Sequence, residues 1–120
     1  MAAFLSERHL ATLTVVRPDG RPHVTPVGFT WDGDADLVRI ITFAGAVKVR
    51  LLSSGPLTAA VCQVDGARWA TLEGLATVSA DPARCLEGVA RYTARYGAPR
   101  DRGADRRVIE LSVSRILGRA

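Results

Sequence analysis

Apolar and polar residues alternate along most of the chain with the period of two that is typical of β-strands. Turn signals separate these segments, among them Pro18-Asp19-Gly20 and Asp32-Gly33-Asp34. The short turns favour an antiparallel arrangement of neighbouring strands. The pattern predicts six strands, over Leu10–Val16, Arg21–Trp31, Leu37–Phe43, Leu57–Val64, Arg68–Ser79 and Val108–Leu117.

Two segments have helical patterns. Ala3–His9 reads as a short helix, and Pro82–Tyr96 reads as a long one. Asp81 precedes the long helix, where an aspartate can cap free amides, and Pro82 suits its first position. Gly97-Ala98-Pro99 ends it. Residues at helical spacing predict its buried face, namely Leu86, Val89, Ala90 and Thr93.

The segment Ala46–Ser54 has two interpretations. Val47-Lys48-Val49-Arg50-Leu51 alternates cleanly, which by pattern alone favours a strand. Gly45 before it and Gly55-Pro56 after it would equally bracket a helix of two turns. Periodicity does not decide between them.

These elements predict a single, mainly β domain over residues 1–120. Its length lies within the usual range of one domain, and no repeat or linker interrupts it. Six strands and one long helix favour an antiparallel barrel, which removes the exposed edges of an open sheet. We therefore expect a six-stranded β-barrel with two or three short helices. A homodimer is a reasonable expectation for so small a domain.

Charge points to a small anionic ligand. The net charge is +4, and Lys48 is the only lysine among 16 basic residues. The arginines are scattered, whereas nucleic-acid-binding proteins usually gather basic residues in a stripe; we expect no nucleic-acid partner. No stretch approaches the roughly 18 apolar residues of a membrane span, and Met1–Leu10 lacks the charged-then-apolar order of a signal peptide. We expect a cytoplasmic protein with no membrane partner.

The chain lacks the motifs of several enzyme classes. His9 and His23 have no metal-ligand spacing, and no GxSxG, P-loop or GxGxxG motif occurs. We assign no metal ligand and no catalytic side chain. If the protein is an enzyme, a cofactor carries the reactive group.

Lys48 is the strongest candidate for contact with that cofactor. A compact ammonium group can reach a phosphate as a point charge, whereas a guanidinium needs more room. An exposed surface lysine explains the same residue equally well.

The order of motifs resembles a known family over essentially the whole chain. The residues concerned are Arg21–Phe29, the strand Val38–Thr42, Gly45-Ala46-Val47-Lys48, Arg68-Trp69 and Leu72-Glu73-Gly74. This order is similar to the pyridoxamine-phosphate-oxidase-like superfamily, whose fold is the FMN-binding split β-barrel. Longer runs are most similar to the branch that uses the deazaflavin coenzyme F420, and within it to biliverdin reductases. These runs are Phe4–Ala11, Gln63–Trp69, Arg91-Tyr92, Arg95-Tyr96 and Pro99-Arg100.

The resemblance implies a set of cofactor-binding residues. Thr25, Pro26, Val27 and Gly28 match the strand along the ring system, and Ile41 and Thr42 match positions on the phosphate side. Lys48 matches a cation that contacts the phosphate at the start of a helix, which favours a helix for Ala46–Ser54. Trp69 matches a position that flanks the ring, often across the interface of a homodimer with two cofactor sites.

Departures from the family pattern point away from FMN. FMN-dependent oxidases of the superfamily carry Arg, Arg and Gln where this chain has Thr25, Val47 and Trp69. The resemblance thus implies an F420-dependent reductase that transfers hydride to an anionic conjugated molecule, with biliverdin the best candidate. Two alternatives stay open: an FMN-dependent oxidase or reductase, and a non-catalytic protein that binds a deazaflavin or a tetrapyrrole.

Overall fold

The computed structural model describes residues 1–120 and contains one seven-stranded antiparallel sheet with three α-helices. In chain order the elements are α1 (Ala2–Ser6), β1 (Ala11–Val16), β2 (Pro22–Val27), β3 (Thr30–Asp32), β4 (Leu37–Phe43), α2 (Val47–Leu52), β5 (Leu57–Asp65), β6 (Arg68–Ser79), α3 (Pro82–Tyr96), a 3-10 turn (Gly103–Asp105) and β7 (Arg106–Arg119).

The sheet is open, with the strand order β2-β1-β5-β6-β7-β4-β3. Its two edge strands, β2 and β3, follow one another in the chain, and only Gly28 and Phe29 lie between them. The predicted single strand Arg21–Trp31 is therefore two strands on opposite edges. The prediction of six strands in a closed barrel is wrong, because the chain changes sheet edge within a segment whose pattern is continuous.

The core lies on the inner face of this curved sheet. Leu13 pairs with Val61, and Val61 with Leu72, so that all three side chains point to the same side. Each is fully buried, and so is Phe29 at the junction of the two edges. Burial of one such side chain contributes about 1.5–3 kcal/mol. The predicted mainly β fold is confirmed, and its core is the alternating apolar set.

The helix α3 has the predicted bounds. The carboxylate of Asp81 accepts a hydrogen bond from the amide of Arg84 at 3.0 Å, and Pro82 occupies the first turn. This cap satisfies one of the free amides at the helix start and contributes about 1 kcal/mol.

The face that α3 buries differs from the predicted one. Leu86 is 70% exposed, whereas Cys85 and Gly88 are buried. A methyl group at Gly88 would lie 2.9 Å from Ile41 and 3.0 Å from Val108. The helix therefore approaches β4 and β7 through its smallest residues, and Leu86, Val89, Ala90 and Thr93 lie outside the closest contact.

Residues Val47–Leu52 form the helix α2. The family resemblance implies this helix, whereas the alternation alone favours a strand. Val49 and Leu52 are three residues apart and both are buried, so one helical face packs on the core. Lys48 lies on this helix beside its buried face and is half-buried. None of the helices is long and apolar enough to cross a membrane.

Candidate functional site

A cleft of about 280 Å³ opens where the end of β2 faces β4, α2 and the loop that follows α3. Six of the eight predicted cofactor-binding residues line this cleft, namely Pro26, Val27, Gly28, Ile41, Thr42 and Lys48. They come from three elements that are distant in the chain and meet only because β2 and β4 flank the open side of the sheet.

Lys48 enters the cleft as a cation without a partner. Its side chain is half-buried and takes part in no ion pair or hydrogen bond of the structure. Burial lowers the pKa of Lys48 below its usual value, and no carboxylate offsets that cost. An anion bound in the cleft would stabilise the charged ammonium group.

Three arginines add positive charge to the same cleft. Arg100, Arg102 and Arg106 line it together with Lys48, whereas no carboxylate does. Arg102 lies 4.5 Å from the centroid of the Phe43 ring. Arg106 donates a hydrogen bond to the carbonyl of Thr42 at 3.3 Å.

None of these four cations forms an ion pair, although five other arginines of the chain do. The charge of Lys48 also affects a residue outside the cleft. Burial, together with the positive charges of Arg17 and Lys48, lowers the pKa of His23 on β2. A concave site with one sign of charge concentrates anions of the opposite sign. The site is suited to a ligand with several negative charges.

Two tyrosines of α3 pack against the backbone of Gly28. A methyl group at Gly28 would lie 3.1 Å from the ring of Tyr92 and 3.2 Å from that of Tyr96, and the two ring centroids are 4.8 Å apart. Tyr92 also lines the cleft. Gly28 therefore lets an aromatic wall stand directly beside the end of β2.

Tyr96 fixes this wall to the backbone. Its hydroxyl donates to the carbonyl of His9 at 2.8 Å and accepts from the amide of Phe29 at 3.2 Å. Burial raises the pKa of Tyr96 above its usual value, which keeps the hydroxyl protonated. The hydroxyl thus ties together α3, the segment before β1 and the junction of the two sheet edges.

Two predicted site residues lie outside the cleft. Thr25 pairs with Leu13 in the middle of the β1–β2 ladder and is half-buried. Trp69 pairs with Val64 near the start of β6 and is 39% exposed. Thr25 directly precedes Pro26 but does not line the cleft, and neither does Trp69, so the contact of these two residues with a cofactor stays a prediction.

Seven residues of the cleft have no role in the sequence-based prediction, and the polar ones among them are Tyr92, Arg100, Arg102 and Arg106. Arg91-Tyr92 and Pro99-Arg100 carry part of the family resemblance but no assigned contact. Arg102 and Arg106 have no sequence signal, because their place in the cleft depends on the path of the loop between α3 and β7.

One further cluster of polar side chains is an ion-pair network. Glu7, His9 and Asp65 bring their side-chain ligand atoms within 4.8 Å of one another. Arg68 donates to Glu7 at 2.8 and 3.0 Å and also bonds to Asp65. Its guanidinium therefore binds both carboxylates.

Comparison with known proteins supports the resemblance. The profile of the family described as pyridoxamine 5'-phosphate oxidase matches residues 1–120. An F420H(2)-dependent biliverdin reductase of Mycobacterium tuberculosis is 47% identical over 118 residues, which are 98% of this chain and 85% of that protein.

Solved structures have the same fold. One described as an F420 reductase superposes with a TM-score of 0.75 at 25% identity, covering 96% of this chain and 94% of the other. A heme storage protein of Vibrio cholerae superposes with a TM-score of 0.74 at 16% identity over 96% of this chain and 89% of its own. The second likeness concerns the fold alone.

Proposed function

The chain belongs to the pyridoxamine 5'-phosphate oxidase family, and we propose that it is a reductase dependent on coenzyme F420. The observation that supports this proposal most strongly is a cleft lined by four cations and no carboxylate. One of these cations is the half-buried Lys48, whose ammonium group has no acceptor. The relative that is 47% identical and the structure at 25% identity are both described by their use of F420.

The residues of the cleft fit this coenzyme. Lys48 and Arg106 would hold its phosphate, because both line the cleft together with Thr42 and neither forms an ion pair. The backbone of Val27 and Gly28 would lie along the flat ring, with Tyr92 as the neighbouring wall. Coenzyme F420 also carries a long anionic oligoglutamate tail, and Arg100 and Arg102 remain for its carboxylates.

Arg39 and Arg50 are less suitable partners for the tail. Arg39 donates to Asp32 at 3.0 Å and is thereby neutralised. Arg50 does not line the cleft. The tail is therefore assigned to the loop after α3.

The protein contributes binding and orientation rather than acid–base chemistry. In its reduced form the coenzyme supplies a hydride, which together with a proton from solvent reduces a conjugated double bond. The ionisable groups that line the cleft are one lysine, three arginines and Tyr92. Cations stabilise negative charge that the substrate gains, and a rigid wall restricts the approach of the reacting partners.

Biliverdin is the proposed substrate. The support is the description of the relative at 47% identity. A linear tetrapyrrole dicarboxylate also suits a strongly cationic site. Mixing the purified protein with reduced coenzyme F420 and biliverdin, and following the absorbance of both, tests this assignment. Oxidation of the coenzyme no faster than in a control without protein would remove it.

We further propose a homodimer that completes the cleft. Period-two alternation places Val24, Val64, Trp69 and Leu75 on the outer face of β2, β1, β5 and β6, each between 39% and 60% exposed. Pro26 belongs to this face and also lines the cleft, so the two adjoin. Val64 and Trp69 are direct partners in the sheet, and exposed apolar side chains on one face are typical of protein interfaces. Sedimentation equilibrium of the wild type and of Trp69→Glu tests the dimer: a dimeric wild type and a monomeric variant are expected, and a monomeric wild type contradicts it.

Two other functions are distinguishable from this one. An FMN-dependent enzyme would purify with bound FMN from a host that lacks F420. A non-catalytic binding protein would bind F420 or biliverdin tightly without oxidising the reduced coenzyme.

A further inference from the structure

The segment between α1 and β1 is held rigidly on both sides of Arg8. The guanidinium of Arg95 donates to the carbonyl of Glu7 at 2.8 and 2.6 Å. The hydroxyl of Tyr96 donates to the carbonyl of His9 at 2.8 Å. Residues 7–9 form neither helix nor strand, yet side chains of α3 fix the backbone before and after Arg8.

Arg8 itself has no partner. Its exposed guanidinium takes part in no hydrogen bond or ion pair of the structure. The neighbouring acids are already bound, since Glu7 and Asp65 both accept from Arg68. A fixed backbone that presents a free guanidinium is preorganised to bind a carboxylate, because less conformational freedom is lost on binding.

A second cavity lies beside this residue. It has a volume of about 350 Å³ and is lined by Arg8, His9, Leu10, Tyr92 and Tyr96. No carboxylate lines it, and Leu10 offers an apolar side chain that is 68% exposed. Its lining combines apolar and aromatic surface with one free cation.

Tyr92 joins this cavity to the cationic cleft. The residue lines both, and its ring packs on Gly28 at the end of the proposed ring-binding strand. A molecule in the second cavity would therefore lie next to the ring end of the cofactor site, away from Lys48. A hydride acceptor has to lie against the ring of the cofactor, and this cavity adjoins the position proposed for that ring.

We propose that Arg8 is a specificity-determining residue that binds a carboxylate of the oxidised substrate, whose conjugated body packs on Leu10 and Tyr92. The proposal rests on the proposed function and adds the subsite that selects anionic substrates. Arg8 thereby affects the affinity for the substrate and not the affinity for the coenzyme.

The test compares Arg8→Gln with Arg84→Gln, an exposed arginine at the other end of α3 that lines neither cavity. Each protein is assayed with biliverdin and with biliverdin dimethyl ester, which lacks both negative charges. Coenzyme affinity and the urea midpoint are measured in parallel. Binding of biliverdin in the absence of reduced coenzyme is followed by absorbance.

For Arg8→Gln we expect the KM for biliverdin to rise about tenfold, which is typical of the loss of one charged hydrogen bond. We expect kcat to change less than twofold, coenzyme affinity to stay constant, and the ester to be reduced equally by all proteins. Arg8→Lys should restore part of the affinity.

Three results would overturn the proposal. They are the same KM in Arg8→Gln and Arg84→Gln, an equal loss with the ester, and weaker binding of the coenzyme in Arg8→Gln. If the wild type fails to reduce biliverdin, the proposed substrate fails, and the binding titration still decides about Arg8. A weaker complex in Arg8→Gln alone then supports a carboxylate site, whereas no difference or no binding contradicts it.

Discussion

The guanidinium of Arg102 lies 4.5 Å from the centroid of the Phe43 ring, at the side of the cationic cleft. The ring orients the arginine without neutralising it, because a π-face attracts a cation but carries no net charge. A carboxylate in the same place would orient the arginine equally well and cancel its charge. The cleft thus keeps a positioned positive charge for a ligand.

Removing the ring tests this role. In Phe43→Leu the guanidinium of Arg102 loses its orientation, and the affinity for coenzyme F420 should fall about twofold to fivefold, equivalent to the roughly 0.5–1 kcal/mol of such a contact. The dissociation constant is measured through the fluorescence of the coenzyme. In Arg102→Met there is no guanidinium for the ring to orient, so adding Phe43→Leu to that variant should leave the dissociation constant for coenzyme F420 unchanged. If Phe43→Leu weakened coenzyme binding as much in Arg102→Met as in the wild type, the coupling between the two residues would be contradicted.

Lys48 should contribute more, because it is half-buried. Lys48→Ala is expected to weaken coenzyme binding by about 1.5–3 kcal/mol, the range of hydrogen bonds to charged groups. The control is Arg50→Ala, which removes an exposed cation from the same helix outside the cleft. Equal dissociation constants for Lys48→Ala and the wild type would show that the lysine does not contact the coenzyme.

Gly28 should tolerate no side chain without a shift of the tyrosines. A methyl group there lies 3.1–3.2 Å from the rings of Tyr92 and Tyr96, closer than carbon atoms normally approach. Gly28→Ala is expected to destabilise the protein by about 1–3 kcal/mol through overpacking and to weaken coenzyme binding. Urea denaturation and the coenzyme titration measure both effects.

Gly33→Ala provides the matched control for Gly28. The nearest atom to a methyl group at that position, on Trp31, lies 3.4 Å away, which is an ordinary contact. Its stability should stay within about 0.5 kcal/mol of the wild type, as is typical of surface substitutions. If Gly28→Ala lost no more stability than Gly33→Ala, the rings of Tyr92 and Tyr96 would have moved aside at little cost, which would contradict the prediction.

Acid should weaken the anchored segment before β1 through Glu7. Bonds from Arg68 and His9 lower the pKa of Glu7 from 4.5 to about 2. The ionised carboxylate therefore stabilises the fold above pH 4.5, and this contribution is lost as the pH falls to about 2. The difference in urea midpoint between the wild type and Glu7→Gln should shrink over that interval.

The control for this pH dependence is Glu87→Gln, which removes a carboxylate from the exposed pair with Arg91 on α3. A difference between the wild type and Glu7→Gln that stays constant from pH 6 to pH 2 would contradict the role of the Glu7 carboxylate.

Much of this architecture follows from the sequence. Alternation predicts the strands, and Asp81-Pro82 locates the start of α3, because both signals are local. Six cofactor-binding residues implied by the family resemblance line one cleft. Alternation alone does not identify the helix α2, since Val47 and Val49 fit a strand equally well.

Other features depend on long-range contacts and could not be predicted. The chain passes from one edge of the sheet to the other at Gly28 and Phe29, and the hydrophobic pattern gives no sign of this change. The face of α3 that meets the rest of the molecule includes Arg95 and Tyr96, whose polar groups bond to backbone carbonyls more than 60 residues away. A hydrophobic pattern assigns such residues to solvent, and so predicts burial for Leu86 instead.

A titration of the purified protein with coenzyme F420 and with FMN at the same salt concentration tests the central claim most directly. Four unpaired cations favour the ligand with more negative charges, and the deazaflavin coenzyme adds tail carboxylates to its phosphate. We predict that F420 binds at least about tenfold more tightly than FMN, and that added salt reduces the difference. Equal or tighter binding of FMN would contradict the assignment of the cleft to coenzyme F420.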